Sequence, residues 1–260
     1  MTTTLSSAHA QLLDTVPVGT SSVVTSDVDY THDGTALQGY LAYDESATGP
    51  RPAVLVIHDW TGVGEYVQVR CQMLARLGYV AFAPDIYGRD VRPQGDEAAR
   101  VAGEYYGNQG LMRARAQAGL EQLLAQPGVD ADQVAAIGYC FGGSAALALA
   151  ATGADVAGVV SFHGGLSTVP AEDAGNIKAR LLVLTGAADP VVPDEAVVAF
   201  ENTLRGAPQV DWQLTSYSGA MHAFTLPEAA SPEHGANYDA TAERRSWIAM
   251  RTFFDEIFAR

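Results

Sequence analysis

Hydrophobic and polar positions change rhythm about fifty residues into this chain. Residues 21–30 (SSVVTSDVDY) and 36–44 (ALQGYLAYD) are rich in β-formers, and the turn residues of HDGT between them predict an antiparallel hairpin. Then PAVLVIHD (52–59) runs continuously apolar and ends in polar residues, the pattern of a central parallel strand covered on both faces. GEYVQVRCQMLARLG (64–78) places Val67, Cys71 and Leu74, and Met73 and Leu77, at three- and four-residue steps before a terminal glycine, so it predicts a helix. Strands are expected at 79–85, 134–139, 156–165, 179–190 and 210–222, with helices at 95–107, 111–128, 144–153 and 194–205 and an amphipathic closing helix at 243–259.

Alternation of strand and helix over this length predicts an α/β fold, with a mostly parallel central sheet flanked by helices on both faces and the N-terminal hairpin at one end. Residues 21–260 read as one domain without repeat or linker, and residues 1–20 as a loosely ordered leader.

Composition narrows the functional classes. The chain has 260 residues, 48% hydrophobic and 17% charged, an ordinary balance for a packed protein. Its net charge is −15, with Lys178 its lone lysine among the positive residues; such a surface repels nucleic acid and anionic membrane and reads as a solubility feature. The leader lacks a basic segment followed by an apolar core, and no 18-residue apolar run occurs, so neither a secretory signal nor a membrane span is expected. Two cysteines make no disulfide framework, which points to a reduced, cytoplasmic protein. Oligomeric state is not written in the sequence.

In an open parallel sheet, ligands bind beyond the carboxyl ends of the strands. Four junctions there carry reactive side chains: His58-Asp59, Cys140, Asp189 and His222. Nucleophile, acid and histidine follow in the order Cys140, Asp189, His222, each gap leaving room for about one β-α unit, as in an α/β-hydrolase triad. Cys140 sits in GYCFGG (138–143), where a sharp strand-to-helix turn would lift the thiol onto a helix N-terminus whose dipole favours a thiolate. His222 would then move the proton and Asp189 orient the imidazole, with the amides of Phe141 and Trp60 as an oxyanion hole.

Plainer readings compete at each position. Cys140 could be a buried core cysteine, as Cys71 on its apolar helix stripe is expected to be. Asp189 could cap the following helix, although Asp194 is the better placed cap. His234 rivals His222 but lies in loop-like SPEHGANY. His58 and His163 could line a pocket or make structural hydrogen bonds. With Asp59 they could suggest a metal, yet no H-x-H or H-E-x-x-H spacing occurs, and neither glycine-rich nucleotide motif is present.

GYCFGG, the acid in GAADPVVP and the histidine in GAMHAF, with HDWTGV and APDIYGR, resemble the dienelactone hydrolase (carboxymethylenebutenolidase) family over about residues 20–258. The resemblance implies an α/β-hydrolase fold, a Cys-Asp-His triad, no cofactor or metal, and a small-molecule ester or lactone as substrate. It also implies that Asp59, one methylene shorter than the family's usual glutamate, modulates the thiol. Family members that cleave dienelactones hold the substrate carboxylate with two arginines. Arg89 matches one, whereas the second position, four residues after the histidine, is Leu226. The expectation is a carboxylic ester hydrolase working through an acyl-thioester at Cys140 and favouring neutral acyl groups. The alternative is a non-catalytic small-molecule binder or thiol redox sensor on the same fold.

Overall fold

The computed structural model describes residues 5–259. Strands β1 (Val23–His32) and β2 (Thr35–Asp44) pair antiparallel along their full length. Asp33 and Gly34, both at positive φ, close them as a two-residue turn whose twist matches the strands. β2 pairs antiparallel with β4 (Val80–Ala83), and from there the sheet is parallel through β3 (Arg51–Ile57), β5 (Val129–Tyr139), β6 (Gly158–Phe162), β7 (Arg180–Gly186) and β8 (Trp212–Tyr217). The order is β1-β2-β4-β3-β5-β6-β7-β8. The reversal of β3 and β4 sets β3 beside β5, with Ile57 opposite Gly138, so residues 58–60 and 140–141 emerge side by side.

Helices cover both faces. Leu55 and Ile57 of β3 join one core with α3 (Gly95–Gly107), α4 (Gln109–Leu124), α5 (Phe141–Ala150) and α7 (Asp194–Arg205). Val54 and Val56 join the other, with α2 (Glu65–Arg76) and α8 (Ala240–Ile257). Alternate residues of one strand therefore serve opposite cores, which is why its sequence is continuously apolar. A short α6 (Ala171–Ala174) precedes β7.

The structure corrects the sequence reading in three places. The leader is not loose between residues 7 and 16: residues 1–4 lie outside the described residues, but α1 (Ser7–Asp14) is a capped helix whose Leu12 and Leu13, with Val16, are buried in the second core. Arg76 of α2 donates to the carbonyls of Leu13 (2.7 Å) and Val16 (2.8 Å), satisfying the helix end. Asp194 does not cap α7; Pro193 holds the cap position and Asp194 is the first helical residue. The segment after residue 222 is not merely loop, because β9 (Ala230–Ser231) and β10 (Ala236–Asn237) form a small antiparallel hairpin.

Candidate active site

Cys140 stands between β5 and α5 at φ +54°, ψ −116°, a conformation that non-glycine residues rarely adopt. Its N–H is held by the carbonyl of Phe162 (2.9 Å) and by Nδ1 of His163 (3.1 Å). Backbone crowding makes the turn possible. A Cβ on Gly142 would lie 2.1 Å from the carbonyl oxygen of Ile57, so only glycine lets the start of α5 approach the end of β3 so closely.

That approach brings two backbone donors to the same end of the sheet. Phe141 is the first residue of α5, where the N–H has no intrahelical acceptor. The N–H of Trp60, just beyond β3, has no acceptor among the described residues.

His222 reaches the sulfur from the far side. Its Nε2 lies 3.1 Å from Cys140 Sγ, while its Nδ1–H donates to Asp189 Oδ2 at 2.8 Å. The other oxygen of Asp189 accepts the N–H groups of Val191 (2.8 Å) and Val192 (3.1 Å), so the carboxylate is fixed at both ends. Burial opposes a charge on His222, but the Cys140 sulfur and the Asp189 carboxylate outweigh it and hold the imidazole above its ordinary pKa. The β9–β10 hairpin clamps the histidine backbone: His222 N–H donates to the Gly235 carbonyl (2.9 Å), and Asn237 N–H donates to the His222 carbonyl (3.0 Å). Gly235, at φ +81°, packs so closely on Pro190 that a Cβ would lie 2.1 Å from its ring. No side-chain pattern announced this clamp.

The other singled-out residues divide. His163 is buried and turns inward: Nδ1 accepts from Cys140, and Nε2–H donates to Thr225 Oγ1 at 2.7 Å. Burial, then the facing His222 and Arg70, hold it well below its ordinary pKa, so it is neutral. Beneath it Thr225 also bonds Tyr66, and Arg70 bonds Tyr66 and pairs with Glu243 of α8 at 3.0 Å. His58 is likewise structural, joining its own loop through the Asp59 carbonyl (2.6 Å) to the N–H of Ile86 (3.2 Å). Asp59 is bonded to the N–H (2.8 Å) and hydroxyl (2.6 Å) of Thr61 rather than to the sulfur. Arg89 turns away and pairs with Asp29 of β1. His234 is exposed, and Cys71 is fully buried, where burial pushes its thiol pKa far up. Among the described residues, no three His, Cys, Asp or Glu side chains gather as a metal-ligand set.

A cavity of about 250 Å³ shares the loops that carry Trp60 and His222; Asp59, Thr61, Tyr66 and Leu226 are in its walls. Tyr87, missed in the sequence, stacks edge-on against His58 (4.8 Å between ring centres), and its buried hydroxyl has no hydrogen-bond partner among the described residues.

Residues 37–258 match the model of the dienelactone hydrolase family. The chain belongs to that family. A hydrolase with this α/β-hydrolase fold, it is 43% identical to a solved dienelactone hydrolase-like promiscuous phosphotriesterase from metagenomic libraries, with a TM-score of 0.88 over 91% of this chain and 99% of that one. It is 41% identical to the solved protein m3DLH, with a TM-score of 0.86 over 91% of this chain and 99% of the other. A carboxymethylenebutenolidase-type protein of Yersinia pestis is 28% identical over 237 residues, 86% of this chain and 85% of its own. Among the described residues, no helix is long and apolar enough to cross a membrane.

Proposed function

We propose that this dienelactone hydrolase family member cleaves a carboxylic ester or lactone through an acyl-thioester on Cys140. The observation that carries the reading is the continuous chain Sγ–Nε2 at 3.1 Å and Nδ1–Oδ2 at 2.8 Å, standing at a helix N-terminus on a strained backbone. Strain of this kind costs about 1–3 kcal/mol and persists where surrounding structure enforces it.

In this mechanism His222 Nε2 accepts the thiol proton as sulfur bonds to the carbonyl carbon. The N–H groups of Trp60 and Phe141 receive the charge that develops on the carbonyl oxygen. Collapse breaks the carbon–oxygen bond, and Nε2–H returns the proton to the departing alkoxide. A water, deprotonated by Nε2, then attacks the thioester, releasing the acid and restoring the thiol. Asp189 holds the imidazole tautomer and stabilises its cation throughout. A thiol sensor would have no use for an acid fixed at both oxygens behind the histidine, which favours the hydrolytic reading.

The test is capture of the intermediate. Brief reaction with an activated ester should add one acyl mass to the Cys140 peptide, and Cys140→Ala should lose both adduct and turnover. Full turnover by Cys140→Ala would overturn the reading.

A further inference from the structure

Tyr87 carries a buried donor that the mechanism above leaves unused. It follows β4 in the stretch DIYGR, and only 6% of it is exposed. Its hydroxyl is buried and makes no hydrogen bond among the described residues, either to the Cys140 sulfur or to the Asp59 carboxylate. A buried hydroxyl left unpaired costs stability, so a fold that keeps one calls for a reason.

The rest of the residue is fixed. Its N–H donates to Asp85 Oδ1 (3.2 Å), and its carbonyl accepts from the Tyr105 hydroxyl (3.3 Å). Its ring packs among those of His58, Phe141 and Tyr105, at 4.8, 5.2 and 5.2 Å between ring centres. Two of these neighbours matter for chemistry. Phe141 carries one of the two unpaired backbone donors, and His58 lies two residues before Trp60, which carries the other. The tyrosine ring therefore bridges the two segments that would hold a developing oxyanion. Its hydroxyl faces the same place: after burial, the Cys140 sulfur and then the Asp59 carboxylate push its pKa up. It keeps its proton and remains a donor throughout the working pH range. Tyr106 of α3 gives the contrast. It too feels the sulfur, but its hydroxyl is already bonded to Ser144 Oγ at 2.9 Å.

We propose that the Tyr87 hydroxyl is a third oxyanion donor, bonding the acyl oxygen of the substrate beside the amides of Trp60 and Phe141. The assignment rests on the ester-hydrolase reading and adds a catalytic residue to it. No proton is transferred. The hydrogen bond strengthens as negative charge builds on the acyl oxygen during attack by sulfur, and weakens when the carbonyl re-forms. The hydroxyl is unpaired in the free protein because its acceptor arrives with the substrate.

Tyr87→Phe removes one oxygen and keeps the ring against His58 and Phe141. On a neutral ester, kcat should fall by about tenfold or more with KM nearly unchanged, the sign of a contact made in the transition state. The fold-loss in kcat/KM should be the same for an aryl and an alkyl ester of one acid, because the acyl oxygen is common to both. The denaturant midpoint should stay level or rise, since an unpaired buried hydroxyl is removed rather than a bond. Alkylation of Cys140 by iodoacetamide should keep its rate, because that attack on a saturated carbon develops no oxyanion. Unchanged kcat/KM overturns the proposal. So does a lowered midpoint, which would give the hydroxyl a partner within the protein, or slowed alkylation, which would make it a support for the thiolate. A loss confined to the alkyl ester would make Tyr87 the acid for the departing alkoxide and overturns it too. If the wild type hydrolyses no ester although Cys140 alkylates, the hydrolase reading itself has failed, and the oxyanion role falls with it.

Discussion

The backbone N–H of Cys140 lies 3.1 Å from Nδ1 of His163, and the opposite nitrogen of that ring donates to Thr225 Oγ1 at 2.7 Å. The tautomer is thereby set: Nδ1 must be bare to accept, and Nε2 must carry the proton. His163 thus braces the strained residue from below while His222 addresses its sulfur from above, the two rings meeting edge to face at 5.4 Å.

This bracing makes the fold acid-sensitive. Unfolded, His163 takes a proton near pH ~6.5, whereas in the folded protein burial, His222 and Arg70 keep its pKa well below that. Below pH ~6.5 the unfolded chain therefore binds a proton that the folded chain refuses, and stability falls as pH falls, by up to ~1.4 kcal/mol per pH unit from this residue. His163→Gln, which can still accept from the Cys140 N–H, should flatten the acid limb by about that slope. Urea melts between pH 5 and 7.5 measure it; identical slopes in both proteins would refute the linkage. His58, also held low by burial, contributes in the same direction to both.

The two cysteines should separate cleanly under iodoacetamide. Cys140 is partly accessible and 3.1 Å from an imidazole, whereas Cys71 is fully buried with its thiol pKa raised by burial. Peptide mapping during partial inactivation should show activity loss tracking Cys140 alone. Cys140→Ser should retain a small fraction of turnover, because a hydroxyl starts from a much higher pKa in a site set for sulfur. Inactivation that follows Cys71 would remove Cys140 from the mechanism.

Two glycines should respond oppositely to the same methyl group. On Gly142 a Cβ would fall 2.1 Å from the Ile57 oxygen and 2.5 Å from that of His58, both backbone atoms, so Gly142→Ala must separate α5 from β3. We expect a loss of about 3 kcal/mol or more, with activity falling as the Trp60 and Phe141 amides part. Gly103 lies inside α3 with nothing within 4 Å of an added Cβ, so Gly103→Ala should gain roughly 0.5–1 kcal/mol. Denaturant midpoints give both values, and a tolerated Gly142→Ala would remove the argument from close approach.

The contrast between what the sequence revealed and what it hid has a physical basis. Strands such as β3 were legible because burial on both faces leaves an unbroken apolar run, and the ends of such runs located residues 58, 140 and 189. α1 was not, because Leu12 and Leu13, with Val16 just beyond the helix, mark a buried face only once α2 is there to receive it. The hairpin that clamps His222 was hidden for another reason: its grip is backbone-to-backbone, through Gly235 and Asn237, and leaves no pattern of side chains. Arg89 matched a motif, but the strand register sets Asp29 within its reach, and long-range pairing of that kind is invisible to local spacing.

Leu226 offers the sharpest test of substrate charge. It lies in the cavity wall with Asp59, Glu65 and Glu228, where a carboxylate would meet three like charges and, among the described residues, no lysine or arginine in the lining. An arginine can bind a carboxylate through two parallel N–H donors, a contact worth about 1.5–3 kcal/mol, or roughly 10- to 150-fold in kcat/KM. In Leu226→Arg the new guanidinium would share itself with Asp59 and Glu228, so the gain should sit at the low end of that range, about tenfold. The quantity to measure is the ratio of kcat/KM for an anionic lactone to that for its neutral methyl ester, before and after the change. The wild-type ratio should favour the neutral ester, and the variant should move it toward the anion. A wild type that already prefers the anion, with a ratio indifferent to Leu226→Arg, would mean that position 226 does not face the acyl group. Carboxylate recognition would then require Arg89 to leave Asp29 and swing toward the cavity, which Asp29→Asn should promote by releasing it.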